Sequence, residues 1–308
     1  MKDFIITTDI TCDVNAKIQK DFGVEVINGH FTTPDGVERP SVLEWKEFNR
    51  EEFYSALKKD PNGFTTSPPN IDECAQAFIL HIEKDEGVIA ISISRALSGT
   101  YDFMVKAKEQ VLMQYPDAKI EVIDSMRFGP AAGLMAVWCA ELKKRGKSFD
   151  EVISAVEKNK NRFHQSGWLD DLSFVAKKGR ISHAKAFFGT LVGIKPLGEF
   201  DKNGMTTVIG KAKGEKNAYD ALLRYIENTI EEPENQVIFV ATSNRRKQAE
   251  IFADMIREKF QPKAVYLNDV FPNCGINVGP GLMAAYYMGK EISEDLSVEK
   301  KLMTEIIG

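Results

Sequence analysis

The run Gly87-Val88-Ile89-Ala90-Ile91-Ser92-Ile93-Ser94-Arg95-Ala96-Leu97-Ser98-Gly99-Thr100-Tyr101 decides how this chain is read. Val88–Ile93 is short, almost wholly apolar and rich in β-branched residues, which predicts a buried strand. Small and polar residues follow at once. Helical spacing then begins at Thr100 and holds to Gln114, ending before Pro116. A strand that hands over to a helix in this way is the unit of a parallel sheet covered by helices. Ser98-Gly99-Thr100 opens the helix, so its unpaired backbone N–H groups point at whatever lies before it.

The same rhythm extends to both sides. Upstream, Phe4–Thr8 reads as a strand, and Val24–Ile27 and Phe31–Thr33 as shorter ones, with Pro34-Asp35-Gly36 as a turn. Trp45–Lys59 has helical spacing, with Trp45, Phe48, Phe53 and Leu57 as its apolar positions. Thr65-Thr66-Ser67-Pro68-Pro69 reads as a hydroxyl-rich loop before a helix over Ile71–Glu83. Downstream, Ile120–Ile123 is a strand and Ala131–Lys144 a helix. The first half is therefore expected to be an α/β unit with a parallel sheet.

The second half reads differently. Phe149–Asn161 is one more helix, and Ser173–Val175, Gly179-Arg180-Ile181, Gly193–Phe200 and Met205–Lys211 are short segments. Asn203-Gly204 between the last two is a hairpin signal. The helices Ala218–Ile230 and Lys247–Lys259 alternate with the strands Val237–Ala241 and Ala264–Leu267. Gly279-Pro280-Gly281 leads into the apolar segment Leu282–Met288, of either type. The expected division is a domain at 1–160 and a mixed α/β domain at 161–308.

A length of 308 residues fits about two domains. Lys and Arg total 40 against 45 Asp and Glu, a net charge of −5, which argues against nucleic-acid binding by phosphate neutralisation. The longest largely apolar run, Ala131–Ala140, falls well short of the roughly 18 residues of a membrane span, so no stable membrane insertion is expected. The start of the chain carries Asp3 and turns polar at Thr7, with no signal-peptide core. Cys12, Cys74, Cys139 and Cys274 form no CxxC pair, which disfavours zinc ribbons and redox dithiols and suits a reduced, cytoplasmic protein.

The usual chemical signatures are missing. Gly146-Lys147-Ser148 ends like a phosphate loop, but Glu141 stands where that pattern needs glycine. There is no GxGxxG, HExxH or GxSxG. His30, His81, His164 and His183 have no metal-ligand spacing, so no metal and no cofactor are expected.

What remains is a set of polar residues at strand ends, where open α/β sheets bind ligands. Phe4–Thr8 delivers Asp9 and Thr11, Val88–Ile93 delivers Ser94 and Ser98, and Ile120–Ile123 delivers Asp124 and Ser125. Hydroxyls and amides at a helix start suit a small anion such as a carboxylate. No spacing pairs Asp9 or Asp124 with Ser98, so the residues lean toward binding. A small-metabolite enzyme using Asp9 and Asp124 as bases stays open.

Seven segments, in order, resemble the DegV family of bacterial fatty-acid-binding proteins. Thr8-Asp9-Ile10-Thr11-Cys12-Asp13 is similar to that family's T-D-S-T-A-D start, and Thr66-Ser67-Pro68-Pro69 to its T-S-Q-P segment. Leu97-Ser98-Gly99-Thr100-Tyr101 and Val122-Ile123-Asp124-Ser125 match without a change. Lys177-Lys178-Gly179-Arg180-Ile181-Ser182 resembles K-G-G-R-I-S, and Ile194-Lys195-Pro196 and Gly279-Pro280-Gly281 match I-K-P and G-P-G. The resemblance spans nearly the whole chain.

It implies a two-domain α/β fold with a buried acyl tunnel, whose head-group site lies in 1–160 and whose tunnel is completed by 161–308. It implies a carrier, not an enzyme, that holds one long-chain fatty acid and presents it to a separate fatty acid kinase subunit for acyl phosphate formation. Carried over by position, Thr66 and Ser98 would hydrogen-bond the carboxylate, with Gly99, Asn277 and Gly279 as further ligand-binding positions and Arg180 and Lys213 as partner-facing ones. Two departures stand out. Asn277 occupies the place of the family's histidine before T-G-P-G, and it cannot become cationic. Lys213 stands where the family often has arginine, which keeps the charge and loses the bidentate fork. A lipid sensor without a kinase partner is therefore a further alternative.

Overall fold

A computed structural model describes residues 3–41, 43–45, 48–182 and 193–308. His183, and positions 46 and 47 of the helix expected over Trp45–Lys59, lie outside the described residues. The first half contains β1 (Asp3–Asp9), α1 (Ala16–Phe22), β2 (Val24–Ile27), β3 (His30–Thr32), β4 (Glu38–Pro40), α2 (Arg50–Lys59), β5 (Thr65–Ser67), α3 (Ile71–Ile82), β6 (Glu86–Ser92), α4 (Thr100–Gln114), β7 (Ile120–Asp124), α5 (Gly129–Lys144) and α6 (Phe149–Asn159). The second half contains β8 (Phe163–Leu169), α7 (Leu172–Lys177), β9 (Ile194–Phe200), β10 (Thr206–Lys213), α8 (Gly214–Thr229), β11 (Val237–Thr242), α9 (Arg246–Phe260), β12 (Ala264–Asp269), α10 (Pro272–Val278), β13 (Leu282–Met288) and α11 (Ser297–Ile307).

The apolar strands of the first half form a parallel four-stranded sheet in the order β2-β1-β6-β7. The short strands β4, β3 and β5 form a separate antiparallel ribbon. The second half is a six-stranded mixed sheet, β10-β9-β8-β13-β11-β12, in which β11 and β12 run parallel and the other neighbours antiparallel. The fold is thus α/β with a parallel-sheet half and a mixed half.

Helix α5 joins them. It packs on β1 and β6 from one side and on β11 and β13 from the other. Twelve of its sixteen residues are buried, as a helix that is apolar all round must be. The 3-10 turn Ile10–Cys12 lies directly on it: a Cβ at Gly129 would sit 1.9 Å from the Thr11 carbonyl oxygen, and one at Gly133 2.5 Å from that of Cys12. One hydrophobic core consequently runs from Phe4 and Ile91 through α5 to Phe239 and Tyr286.

Several segments differ from the sequence reading: α1, β4, α10 and α11 have no counterpart in it, and four more depart from it. Helix α2 starts five residues late, at Arg50, because Asn49 caps it by accepting from Glu51 N at 2.9 Å. Trp45 shares the helical period only because it packs on Phe53, 5.6 Å between ring centres. Ser173–Val175 is helical, in α7, where Asp171 accepts from Ser173 N at 2.8 Å. Thr65–Ser67 pairs with β3 as a strand. Strand β8 went unread because Phe-His-Gln-Ser-Gly-Trp-Leu has no apolar alternation, although all seven residues are buried.

Candidate functional site

At the ends of the parallel strands, the acidic residues are engaged in bracing. Asp9 is buried; its Oδ2 accepts from Ile93 N at 2.8 Å and its Oδ1 from Thr11 N at 2.9 Å and from the Thr11 hydroxyl. Burial raises its pKa against the pull of those bonds. Asp124 Oδ1 accepts from Met126 N at 2.8 Å and Arg95 N at 3.2 Å. These bonds tie the end of β1 to the segment after β6, and the end of β7 to the loops around it. Neither carboxylate faces the cavity described next, so the structure does not place Asp9 and Asp124 as bases beside Ser98.

The hydroxyls are placed differently. The Ser98 amide donates to Ser94 O at 3.2 Å, and its Oγ accepts from Thr100 N at 3.3 Å and lies 2.8 Å from Thr100 Oγ1. Ser98 thereby closes the first turn of α4. Gly99, next to it, has no atom within 4 Å of the position a Cβ would take, which leaves the helix start open to a ligand. Thr66 comes from β5, and its Oγ1 accepts from Asn277 Nδ2 at 3.1 Å. Asn277 projects from α10 and also donates to Asn273 O at 3.1 Å. This pair therefore bridges the two halves of the chain.

Thr66, Ser98, Gly99 and Asn277 all line one cavity of about 200 Å³ between the halves. The first half adds Ile93, Leu97 and Phe128, and the second adds Leu169, Val175 and Leu282, so most of the wall is apolar. Arg180 also lines it. Its Nε donates to Leu97 O at 3.2 Å, and its side chain supplies the one formal charge on the wall among the described residues. No carboxylate or imidazole of the described residues lines the cavity. The Cys274 thiol on the wall donates to Thr11 O at 3.1 Å, and burial pushes its pKa well up, so it stays protonated.

Of the positions named from the sequence, the expected ligand-binding Gly279 and the expected partner-facing Lys213 lie off the cavity wall. Gly279 is off the cavity wall and ends α10 at φ +77°, with the space of a Cβ taken by Phe174 Cγ at 2.6 Å. The position needs glycine for the turn and the close approach. Lys213 is exposed at the end of β10, away from the wall. Conversely, β8 brings Gln165 and Trp168 to the wall, and α10 brings Asn273. No motif marked these three, since neither β8 nor α10 was legible.

The described histidines have structural partners. His30 meets Glu73 at 2.7 Å, His81 lies between Glu25 and Glu86 at 2.9 Å each, and His164 meets Glu199 at 2.7 Å. Among the described residues no three His, Cys, Asp or Glu side chains could hold a metal, and no helix is long and apolar enough to cross a membrane.

Comparison with known proteins bears on this architecture. A DegV domain-containing protein from Clostridium perfringens is 32% identical over 289 residues, covering 94% of this chain and 98% of that one. Among solved structures, a DegV family protein from Thermus thermophilus described as fatty-acid binding is similar at a TM-score of 0.82 and 22% identity, over 94% of this chain and all (100%) of that one. The Streptococcus pneumoniae fatty acid kinase B3 protein, loaded with linoleic acid, is similar at a TM-score of 0.77 and 20% identity, over 94% and 100%. The model of the DegV family, described as an uncharacterised protein family, matches residues 3–290. With that match running from β1 to the end of the six-stranded sheet, the chain belongs to the DegV family.

Proposed function

We propose that this protein binds one long-chain fatty acid in the cavity between its two halves and presents it to a fatty acid kinase subunit. The observation that carries the reading is the composition of the wall: apolar over most of its area, with hydroxyls, a helix start and one guanidinium, and without a carboxylate or imidazole among the described residues. Thr66 and Ser98 hold the carboxylate. Because Thr66 Oγ1 accepts from Asn277, its own proton is free to be donated to the ligand. Gly99 admits the anion to the amides of α4, and Arg180 adds charge at the same wall. Gly279 acts at second hand, by ending the helix that carries Asn277.

The tail is held by the apolar wall. Each buried methylene contributes up to ~0.8 kcal/mol, so a chain of roughly 16 carbons binds well after ordering costs of several kcal/mol. In this reading 1–160 supplies the head-group site and 161–308 completes the tunnel, and Arg180 and the exposed Lys213 face the partner. The four free, buried cysteines suit a reducing compartment, here the cytoplasm. The Thermus and Streptococcus relatives, described as binding fatty acid or loaded with linoleic acid, support the ligand class.

Mass spectrometry of the denatured extract, from protein purified without detergent, tests the ligand. One long-chain fatty acid per chain is the expected result; a protein that is empty and binds no added acid overturns it. Thr66→Val and Ser98→Ala should each weaken binding about tenfold, the loss of one hydrogen bond to a charged group. The kinase link is tested by pull-down with a candidate kinase subunit. Asn277 in the family's histidine position favours a second reading, a lipid sensor with no kinase, and a pull-down that recovers no such subunit selects it.

A further inference from the structure

Gln165 is 4% exposed, yet its side-chain amide faces the cavity and has no hydrogen-bond partner among the described residues. Its backbone N–H is satisfied by Glu199 Oε1 at 2.9 Å, so the side chain alone is unspent. His164 and Ser166 turn to the opposite face, where they meet Glu199 and the Leu222 carbonyl, while Gln165, Gly167 and Leu169 line the cavity, joined by Trp168 near the end of the strand. Across from it, Gly198 leaves room: Gln165 Nε2 and Thr206 Cγ2 lie 3.3 and 3.1 Å from where a Gly198 Cβ would be. The polar residues of the head-group set are half-buried (Thr66, Ser98, Asn277) or exposed (Gly99, Arg180), so Gln165 belongs to the interior of the cavity.

A saturated hydrocarbon tail would strip this amide of water and return nothing, which is the unfavourable outcome for any buried polar group. A hydroxyl would accept from its N–H and donate to its C=O. We infer that the cavity is built for an acyl chain bearing a hydroxyl along its length, hydrogen-bonded to Gln165. The inference rests on the fatty-acid reading above. Sites that hydrogen-bond a ligand hydroxyl reject analogues lacking it because the site's own polar groups are then unpaired.

Competition binding on delipidated protein tests it, with stearic acid against monohydroxystearic acids whose hydroxyl is walked along the chain. At least one hydroxy isomer should bind about tenfold more tightly than stearic acid. Gln165→Leu should erase that preference, bringing stearic acid and the hydroxy isomers to one affinity; Gln165→Met, nearer in shape, gives the same readout if the leucine variant does not fold. Stearic acid binding as tightly as every isomer, or a preference unchanged in both variants, overturns the inference. An equal loss for all acids puts Gln165 at the carboxylate and overturns it too. Failure of the unmodified protein to bind any of these acids overturns the fatty-acid reading itself.

Discussion

Strands β6 and β8 are both seven residues long, both lie inside a sheet and both lead into the cavity wall. Their chemistry is opposite. Strand β6, Glu-Gly-Val-Ile-Ala-Ile-Ser, buries aliphatic side chains that need no partner beyond close packing. Strand β8, Phe-His-Gln-Ser-Gly-Trp-Leu, buries polar ones, of which His164 and Ser166 are hydrogen-bonded to other strands and helices. The partner that makes β8 viable is Glu199 of β9, itself fully buried. Its carboxylate accepts from Gln165 N at 2.9 Å, Phe200 N at 2.8 Å and Tyr225 OH at 3.0 Å, and meets His164 at 2.7 Å. An apolar strand spreads its stabilisation over many contacts; this polar one draws on a few specific groups, with Glu199 making the most bonds.

That contrast can be broken by mutation. Glu199→Leu should cost the most, about 3–5 kcal/mol in denaturant unfolding, because it orphans all four groups at once. A cost no greater than that of a core truncation in β6 would remove the contrast. Ile91→Ala in β6, at a fully buried site, should cost about 3 kcal/mol, the ordinary price of a large-to-small core change.

Asp13 sharpens the comparison, being a buried acid without the carboxylate partners' set that Glu199 enjoys. Its Oδ1 accepts from Phe271 N at 2.9 Å, its Oδ2 has no hydrogen-bond partner among the described residues, and burial lifts its pKa well above the ordinary value of 3.8. The folded state therefore holds this proton where the unfolded chain has released it. Stability should fall as pH rises above about 4 and level off beyond the raised pKa. Asp13→Asn should flatten that fall, read as unfolding midpoint against pH; an unchanged slope assigns it to other groups. The smallest effect is expected at Ser166→Ala in β8, about 1 kcal/mol, since only a 3.4 Å bond to the Leu222 carbonyl is lost.

The same contrast sets what was legible. The aliphatic period marked β6 and β7, Pro116 marked the end of α4, and the rule that ligands gather beyond strand ends pointed to Ser98. The hydroxyl-rich loop had pointed to Thr66, and the DegV motifs added Asn277 and Arg180, which local pattern alone would not have joined to Ser98 in one cavity. Strand β8 stayed hidden because its burial depends on Glu199, more than thirty residues away and invisible to any local period. Asp9 and Asp124 stood at the right strand ends but brace backbone amides, a distinction that needs the loops in three dimensions. Gly279 was marked by its motif, but its work is a turn and a close approach to Phe174.

Helix α5, wedged between both sheets and apolar on every side, bears on how a bound acid would ever leave. Swinging the two halves apart like a book would bare the face of that helix that leaves its sheet, a large apolar burial to give up. Under the proposed function a local opening costs less than a hinge, and the bond from Arg180 Nε to the Leu97 carbonyl is one contact such an opening would break. In that reading unloading is an event at the exposed Arg180 and not a motion of the two halves.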